Sequence, residues 1–281
     1  MARATSFPLR QSRRVAFAAL AAFAALVSDA QIPAGELDAD EYVLRSAPLP
    51  EGDELMARVR ARLPAEPLDL LARVSTHDPA TGKKIDFRAE VGLRFGANPP
   101  TATYALMDAF GVVREQLDLT WAAGGKPQYR IRRGADLQEV PNVDAARPIE
   151  GLEFAWADLS LAFLWWEGAE TVDRESMKLR GCYVVEVPAP AGTSGISKVR
   201  LWVDRKESFL MRARLYGAND VLLREVEADS IEQIGEIWMV KNLEIKTYPS
   251  RKKTRIVVDE VKRLAPETVK PQEGLPDAEG H

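Results

Sequence analysis

The sequence predicts a mainly β protein built from an antiparallel meander. Between residues 197 and 261, five runs of largely alternating apolar and polar residues follow one another, and a period of two places the apolar side chains on one face of a sheet. Short breaks containing Gly, Asn, Asp or Pro separate the runs, and connections this short favour antiparallel neighbours. The chain shows no strand–helix alternation typical of a parallel sheet. One face of the predicted sheet is therefore apolar and needs a cover.

One predicted strand indicates the shape of this sheet. It runs from Ile85 to Phe95, eleven residues, which is long for a strand. Such length with a single apolar face favours a curved sheet wrapped around an interior over a flat sheet covered on both sides. The side that faces this interior carries Ile85, Phe87, Ala89, Val91, Leu93 and Phe95.

Shorter runs extend the meander. They predict strands at residues 68–76, 102–107, 115–121, 128–133 and 182–187, and Gly124-Gly125 predicts the turn of a hairpin.

A helix is predicted ahead of the strands, at residues 51–63. Leu55, Val59 and Leu63 recur there at four-residue spacing. Acidic residues early and arginines late suit the helix dipole, and Pro64 ends the pattern. The narrow apolar stripe indicates a helix that packs on a sheet face.

The N-terminal residues have the pattern of a secretory signal peptide. Four arginines precede an uncharged run from Val15 to Val27, which ends in small residues suited to a signal peptidase. We expect cleavage after Ala30 and export of a soluble protein, most simply into a bacterial periplasm. The apolar run is too short to span a bilayer comfortably. The pattern leaves open whether the general secretion route or the twin-arginine route is used.

The charge of the mature chain argues against one class of partner. Removing residues 1–30 takes away four arginines and one aspartate and lowers the net charge from −4 to −7. Because nucleic acids are bound by basic faces, we expect no nucleic-acid partner. The remaining residues suffice for one β domain. We assign residues 31–50 to an extended leader, 51–263 to this domain and 264–281 to a mobile tail.

The regular alternation stops between Pro148 and Gly168. This stretch is rich in aromatic residues, and Asp158 is placed to cap a short helix whose members are almost all apolar. Such a helix cannot face water all round. It is either buried core or a plug for a cavity that a ligand can also occupy, and its aromatic content favours neither interpretation.

The sequence offers little for catalysis or metal binding. Neither His77, beside a predicted turn, nor His281, at the C-terminus, has a partner set for a metal site or a nucleophile triad. Two carboxylates among Glu150, Glu153 and Asp158 could face one another as in glycoside hydrolysis, but solvated or capping roles fit them better. We therefore expect no enzyme, no catalytic residue, no cofactor and no metal.

Two further features favour structural interpretations. Cys182 is the single cysteine, so it cannot form an internal disulfide, and its place in a strand indicates a small buried hydrophobe. The basic residues at positions 251, 252, 253 and 255 form either a solvated hairpin tip or a docking patch for an anionic membrane surface or an acidic partner.

Four stretches together give the chain a family resemblance. They are GLEFAWADLSLAFLWW at residues 151–166, GCYVVEVP at 181–188, KVRLWVD at 198–204 and WMVKN at 238–242. With the exported leader, the short first helix and the long strands, they resemble the outer-membrane lipoprotein-sorting (LolA-like) family from about residue 51 to 263.

The resemblance implies a single unclosed antiparallel β-barrel whose concave face is apolar and whose mouth is covered by short helices. It also implies a soluble periplasmic carrier that binds lipoprotein or lipid acyl chains and meets donor and acceptor membrane proteins transiently. We expect a monomer. The side chains expected to line the acyl-chain cavity and its lid are Phe87, Val91, Leu93, Phe95, Leu161, Phe163, Leu164 and Trp165.

An alternative of another class stays open. The same fold could serve as an envelope sensor or interaction module, which binds a lipid signal, or a peptide at an open strand edge, and reports to a partner protein. A carrier predicts a lid that moves when the cavity fills, whereas the module predicts a stable complex with one protein.

Overall fold

A computed structural model describes residues 47–122, 127–149, 152, 154–193, 195–234 and 237–264. The predicted signal peptide, most of the predicted leader, the Gly124-Gly125 turn and the predicted tail beyond residue 264 lie outside the described residues. The domain boundaries inferred from the sequence therefore stay predictions.

Strands dominate the described chain, and the helices are short. The helices are α1 (Gly52–Ala61) and α2 (Trp156–Leu159), and 3₁₀ turns occupy Ala162–Trp165 and Ala218–Asp220. The strands are β1 (Leu68–His77), β2 (Lys84–Arg94), β3 (Thr101–Met107), β4 (Val113–Trp121), β5 (Pro127–Arg133), β6 (Gln138–Glu139), β7 (Glu170–Met177), β8 (Arg180–Pro188), β9 (Lys198–Asp204), β10 (Leu210–Tyr216), β11 (Leu222–Ile234), β12 (Ile237–Thr247) and β13 (Lys253–Arg263).

These strands form one antiparallel sheet that is not closed into a barrel. Its order is β6-β5-β4-β3-β2-β1-β13-β12-β11-β10-β9-β8-β7. The strands β1 to β6 form an N-terminal meander that runs from the centre of the sheet to one edge. The strands β7 to β13 form a C-terminal meander that runs from the other edge back to the centre. The two meanders meet where β1 pairs with β13, from Leu68 opposite Arg263 to His77 opposite Lys253. The edges of the described sheet are β6 and β7.

The core lies on one face of this sheet. A single hydrophobic cluster includes buried side chains from the central strands, from Ile131 on β5 and from Val185 on β8. Side chains so far apart in the strand order share one cluster only if the sheet curves around them. The prediction of an unclosed antiparallel barrel with short covering helices is therefore confirmed.

Helix α1 packs against the core along one stripe, formed by Leu55, Met56 and Val59. Its first residue, Gly52, touches the chain just before β7: a Cβ at this position would lie 2.1 Å from the carbonyl oxygen of Ala169. A side chain would separate the two segments. The helix predicted at residues 51–63 is confirmed, and it begins one residue later and ends two residues earlier than predicted.

Strand β7 has no counterpart in the sequence prediction, and its position gives the reason. Among its residues only Met177 is buried, because β7 is an edge strand with a neighbour on one side. Such a strand carries little alternation of apolar and polar residues, and alternation is the signal on which strand prediction depends.

Candidate functional site

The concave face of the sheet is covered by the lid segment, which we define as residues 154–166. It contains α2 and the 3₁₀ turn at 162–165, with Leu161 between them in a left-handed conformation at φ 51°. Its apolar side chains belong to the same cluster as the inner face of the sheet, namely Phe154, Trp156, Leu159, Leu161, Phe163 and Leu164. The lid segment thus packs against the concave face on the inner side of the curved sheet.

The eight residues predicted to line a cavity meet in this cluster. Val91, Leu93, Leu161, Phe163 and Leu164 are buried, and Phe87, Phe95 and Trp165 are partly buried and pack against them. We call the predicted lining residues of the sheet side, Phe87, Val91, Leu93 and Phe95, the wall. The structure therefore brings the wall and the predicted lid residues into one cluster. Binding of a ligand by these side chains stays a prediction.

Three aromatic rings connect wall and lid directly. The ring centroids of Phe95 and Trp121 lie 5.2 Å apart, and those of Trp121 and Trp165 also lie 5.2 Å apart. Trp121, at the end of β4, was absent from the predicted lining although its inward position follows from the alternation in β4. Its buried indole nitrogen has no hydrogen-bond partner among the described atoms, so this part of the interface is held by packing.

Polar contacts tie the lid segment to the N-terminal meander. The Tyr104 hydroxyl on β3 donates to the carbonyl oxygen of Leu159 at 3.2 Å, and the Tyr129 hydroxyl on β5 donates to Ser160 Oγ at 3.0 Å. The Trp156 indole donates to the carboxylate of Glu115 on β4. Burial raises the pKa of both tyrosines, so they remain neutral donors.

An ion pair ties the lid segment to the C-terminal meander. Asp158 Oδ2 lies 3.0 Å from Nε of Arg224 on β11, and the Asp158 side chain is only 1% exposed. The same carboxylate oxygen accepts a hydrogen bond from the Ala155 amide at 2.7 Å. Asp158 is thus the third residue of α2 rather than the cap suggested by the sequence. Burial raises its pKa, and Arg224 and the Ala155 amide offset this only in part.

The sequence contains a signal for the inward position of Arg224. Alternation along β11 places Arg224 on the same face as Val226 and Ala228, both buried in the core. A charge at an inward position of a strand needs a partner, and here the lid segment supplies one. Helix α1 adds a further contact, since the Arg60 guanidinium donates to the carbonyl oxygen of Leu164 at 2.6 Å.

The groups considered for catalysis form no catalytic set within the described residues. Glu150 and Glu153 lie outside the described residues, and Asp158 is engaged by Arg224. His77 is exposed at the end of β1. Within the described ranges, no group of three or more His, Cys, Asp or Glu side chains is arranged to hold a metal ion.

The convex face of the C-terminal meander carries a second, smaller cluster. It contains Met177, Cys182, Val184, Trp202, Phe209 and Met211. Cys182 is a free, buried thiol, which confirms its interpretation as a small buried hydrophobe. Burial and the nearby Asp204 carboxylate raise its pKa to about 12, against the opposing effect of nearby arginines.

The basic turn between β12 and β13 is largely paired with acidic neighbours. Lys252 lies 3.5 Å from Asp78 and Arg255 lies 2.9 Å from Asp229. Lys253 contacts Glu244 at 3.5 Å. These pairs favour the interpretation as a hairpin tip over that of a docking patch, because part of the positive charge is already balanced.

A surface cavity of about 540 Å³ lies beside the edge strand β7. Leu49, Val172, Arg174, Cys182 and Arg205 are among its lining residues. Arg174 donates to the carbonyl oxygens of Ala47 and Pro48 at 2.6 and 2.8 Å, which fixes the described end of the leader at this edge. No pattern in the sequence predicts this cavity.

These features define a class of protein: open antiparallel barrels with an apolar concave face under a helical lid. Comparison with known structures places the chain in this class. A DUF1329 family protein from Desulfovibrio piger superposes with a TM-score of 0.66 at 16% identity, over 81% of this chain and 94% of that chain. A protein described as an outer membrane lipoprotein-sorting protein domain from Vibrio parahaemolyticus gives 0.65 at 14% identity, over 80% and 94%.

A LolA superfamily protein from Nitrosomonas europaea gives a TM-score of 0.57 at 14% identity, over 77% of this chain and 95% of that chain. A family model described as "Uncharacterized protein" matches residues 136–268, and no curated protein matches the sequence. The chain therefore has the LolA-like fold, which confirms at the level of fold the resemblance seen in the sequence. In the described part of the chain, no helix is both long and apolar enough to cross a membrane.

Proposed function

We propose that the protein is an exported, soluble periplasmic carrier that binds acyl chains of lipoproteins or lipids on its concave face and carries them toward the outer membrane. In this proposal residues 1–30 are the signal peptide, residues 51–263 the lipid-binding domain and residues 264–281 a tail. The carrier acts as a monomer and contacts donor and acceptor membrane proteins transiently. The lipoprotein-sorting description of a neighbour with the same fold supports this proposal.

The observation that carries the proposal is the apolar match between the lid segment and the face beneath it. Phe163 and Leu164 from the lid segment lie in one cluster with Val91 and Leu93 from β2. An acyl chain has the same surface chemistry as these side chains and could replace them on the wall. The exchange needs no new pocket, only displacement of the lid segment.

Such an exchange would keep the affinity moderate. Burying an acyl chain is worth about 0.8 kcal/mol per CH₂, so a 16-carbon chain represents roughly 12 kcal/mol if fully buried. Part of this free energy is offset because the lid side chains lose the same kind of contact. A carrier needs this balance, since it must release what it binds.

The first test is the identity of bound lipid. The full chain is expressed in a Gram-negative host, purified from the periplasm and analysed for co-extracted lipids by mass spectrometry. We expect one class of acyl lipid at near one per protein. Absence of lipid, together with no saturable binding of a fluorescent 16-carbon probe, would overturn the carrier proposal.

Matched aromatic truncations in the same probe assay distinguish the contribution of the wall to binding from that of the lid segment. Phe95→Ala removes wall surface and should weaken binding by a factor of about five, whereas Trp165→Ala removes a competitor for the wall and should strengthen it by a similar factor. Phe110→Ala is the control, since Phe110 is 91% exposed at a turn, and should leave binding unchanged. Equal weakening by all three variants would contradict the exchange of lid for ligand.

The position of β7 at the edge of the described sheet favours a second candidate, the interaction module. An edge strand beside a cavity can accept a peptide as an additional strand, and Val172 on β7 is 42% exposed. Purification of the same periplasmic preparation would then yield a stable stoichiometric complex with one protein and no bound lipid.

A further inference from the structure

A small polar patch interrupts the apolar interface under the lid segment. Its members are Asp158 and Ser160 from the lid segment, Tyr129 from β5 and Arg224 from β11. The Tyr129 hydroxyl donates to Ser160 and Arg224 lies 3.0 Å from Asp158, so the patch joins the lid segment to both meanders. Ligand sites in apolar cavities commonly hold a few polar groups of this kind, and those groups fix the orientation of the ligand.

Arg224 is the member of this patch that belongs to the wall and carries a full charge. It stands between Leu215 on β10 and Thr247 on β12 in the sheet, and its side chain is only 18% exposed. Its Nε is buried and, although 3.0 Å from Asp158, makes no hydrogen bond within the described structure. The Arg224–Asp158 pair is thus a charge contact that leaves a buried donor unsatisfied.

Displacement of the lid segment separates this pair. Asp158 moves with α2, while Arg224 stays on β11 inside the apolar face. A guanidinium left there without an anion is unfavourable, because its burial is no longer compensated by an opposite charge. A ligand that enters with its own anion would restore the compensation and satisfy the free donor.

We propose that Arg224 binds the anionic headgroup of the amphiphile whose acyl chain replaces the lid segment, so that the ligand's anion takes the place of Asp158. The proposal rests on the carrier function and specifies its ligand class: a single-chain or multi-chain amphiphile with a carboxylate or a phosphate near the chain. Both anions match the planar fork of a guanidinium, which presents parallel donors to two oxygens.

The test compares ligands with one chain and different heads. Hexadecanoate, hexadecyl phosphate and the neutral hexadecanol each displace a neutral fluorescent 16-carbon probe from the full chain purified from the periplasm and freed of lipid. We expect at least one anion to bind about tenfold more tightly than hexadecanol, the size expected for a charge-assisted hydrogen bond. The two anionic ligands distinguish a fatty-acid head from a phosphate head.

Substitutions assign this preference to one residue. Arg224→Gln should abolish the preference for the anion while leaving hexadecanol binding within about twofold, and Arg224→Lys should keep part of the preference because it keeps the charge. Asp158→Asn should increase anion affinity, since the competing carboxylate is gone. Arg214→Gln is the matched control, because Arg214 lies on the neighbouring strand and faces the convex side, paired with Glu225.

The outcomes separate the two proposals. Equal binding of all three ligands, or an anion preference that survives Arg224→Gln, would overturn the headgroup assignment and leave the carrier function standing. Failure of every ligand to bind the unmodified protein would instead overturn the carrier function. If Arg224→Gln does not fold, Asp158→Asn decides: unchanged anion affinity in that variant would also overturn the assignment.

Discussion

The two faces of the C-terminal meander use ion pairs in opposite ways. On the convex face, Glu186 pairs with Arg200 directly across from it, and Glu225 pairs with Arg214 in the same manner. Both members of each pair belong to the sheet. On the concave face, Arg224 instead pairs with Asp158 of the lid segment, so this pair joins the sheet to a separate element.

The direction of the pKa shifts shows the energetic difference. Burial acts to raise the pKa of Glu186 and Glu225, but hydrogen bonds from arginine and lysine outweigh it, and both pKa values are lowered. At Asp158 burial prevails and the pKa is raised. The convex pairs therefore stabilise the ionised carboxylates in place, whereas the concave pair holds a charge that its surroundings disfavour. A contact of the second kind is suited to being broken.

Truncating one tryptophan on each face should give the largest contrast. Trp202 on the convex face is 1% exposed, donates to Glu175 at 2.8 Å and is contacted by the guanidinium groups of Arg212 and Arg214. Trp202→Ala should lower the free energy of unfolding by about 3–5 kcal/mol. Trp165→Ala, in the lid segment, should lower it by less than half as much. Urea unfolding of both variants measures this, and equal losses would contradict the comparison.

Neutralising one carboxylate on each face should give a smaller contrast. Glu225→Gln weakens charge-assisted contacts with Arg214 and Lys246 and should reduce the free energy of unfolding by about 2 kcal/mol at neutral pH. Asp158→Asn should reduce it by less than half of that, because the ionised form of Asp158 is already disfavoured. A larger loss at Asp158 than at Glu225 would mean that the concave pair is a structural anchor.

The pH dependence of the two faces should have opposite signs. The lowered pKa of Glu225 means that its stabilisation is complete above its ordinary value of 4.5 and is lost as the pH falls through the lowered value. The raised pKa of Asp158 means that closure of the lid is favoured below its ordinary value of 3.8 and that this contribution is lost as the pH rises through the raised value.

Two single variants isolate these contributions. Urea unfolding between pH 3 and pH 7 should show a weaker acid destabilisation in Glu225→Gln than in the unmodified protein. Binding of the fluorescent probe should increase with pH in the unmodified protein, and this slope should be reduced in Asp158→Asn. The same slope in both proteins would exclude Asp158 as its source.

Thiol labelling should perturb the protein least of these tests. It still distinguishes the convex face from the lid segment on the concave face. Cys182 is buried on the convex face with its pKa raised to about 12, so a thiol reagent at pH 8 should react slowly whether or not ligand is present. Ser160→Cys in a Cys182→Ala background places a thiol in the lid segment, and ligand should accelerate its labelling. Equal rates with and without ligand would contradict movement of the lid.

Regular alternation made much of the fold predictable from the sequence. The five strands between residues 197 and 261 and the long strand at 85–95 follow directly from it, and the stretch at 148–168 was distinguished because it breaks the pattern. The edge strand β7 escaped prediction because exposure on both faces removes the alternation. The curvature that brings β5 and β8 into one cluster has no local signal.

The candidate site was predictable in its apolar part only. Phe163 and Val91 could be placed together because each lies on an apolar face that needs a cover. The pairing of Asp158 with Arg224 joins residues far apart in the chain, and no local pattern specifies which acidic group an inward-facing arginine meets. Trp121 was missed for a simpler reason, since it occupies the last position of its strand.

The strand order has a mechanical consequence. Because β1 and β13 pair at the centre of the sheet, the two edge strands, β6 and β7, follow one another along the chain, and the lid segment lies within the connection between them, residues 140–169. The lid segment is thus tethered at both ends to opposite sides of the opening that it covers. In the proposed carrier, displacement of the lid segment and the width of that opening would be coupled through the length of this connection, so the distance between β6 and β7 would limit the size of the ligand.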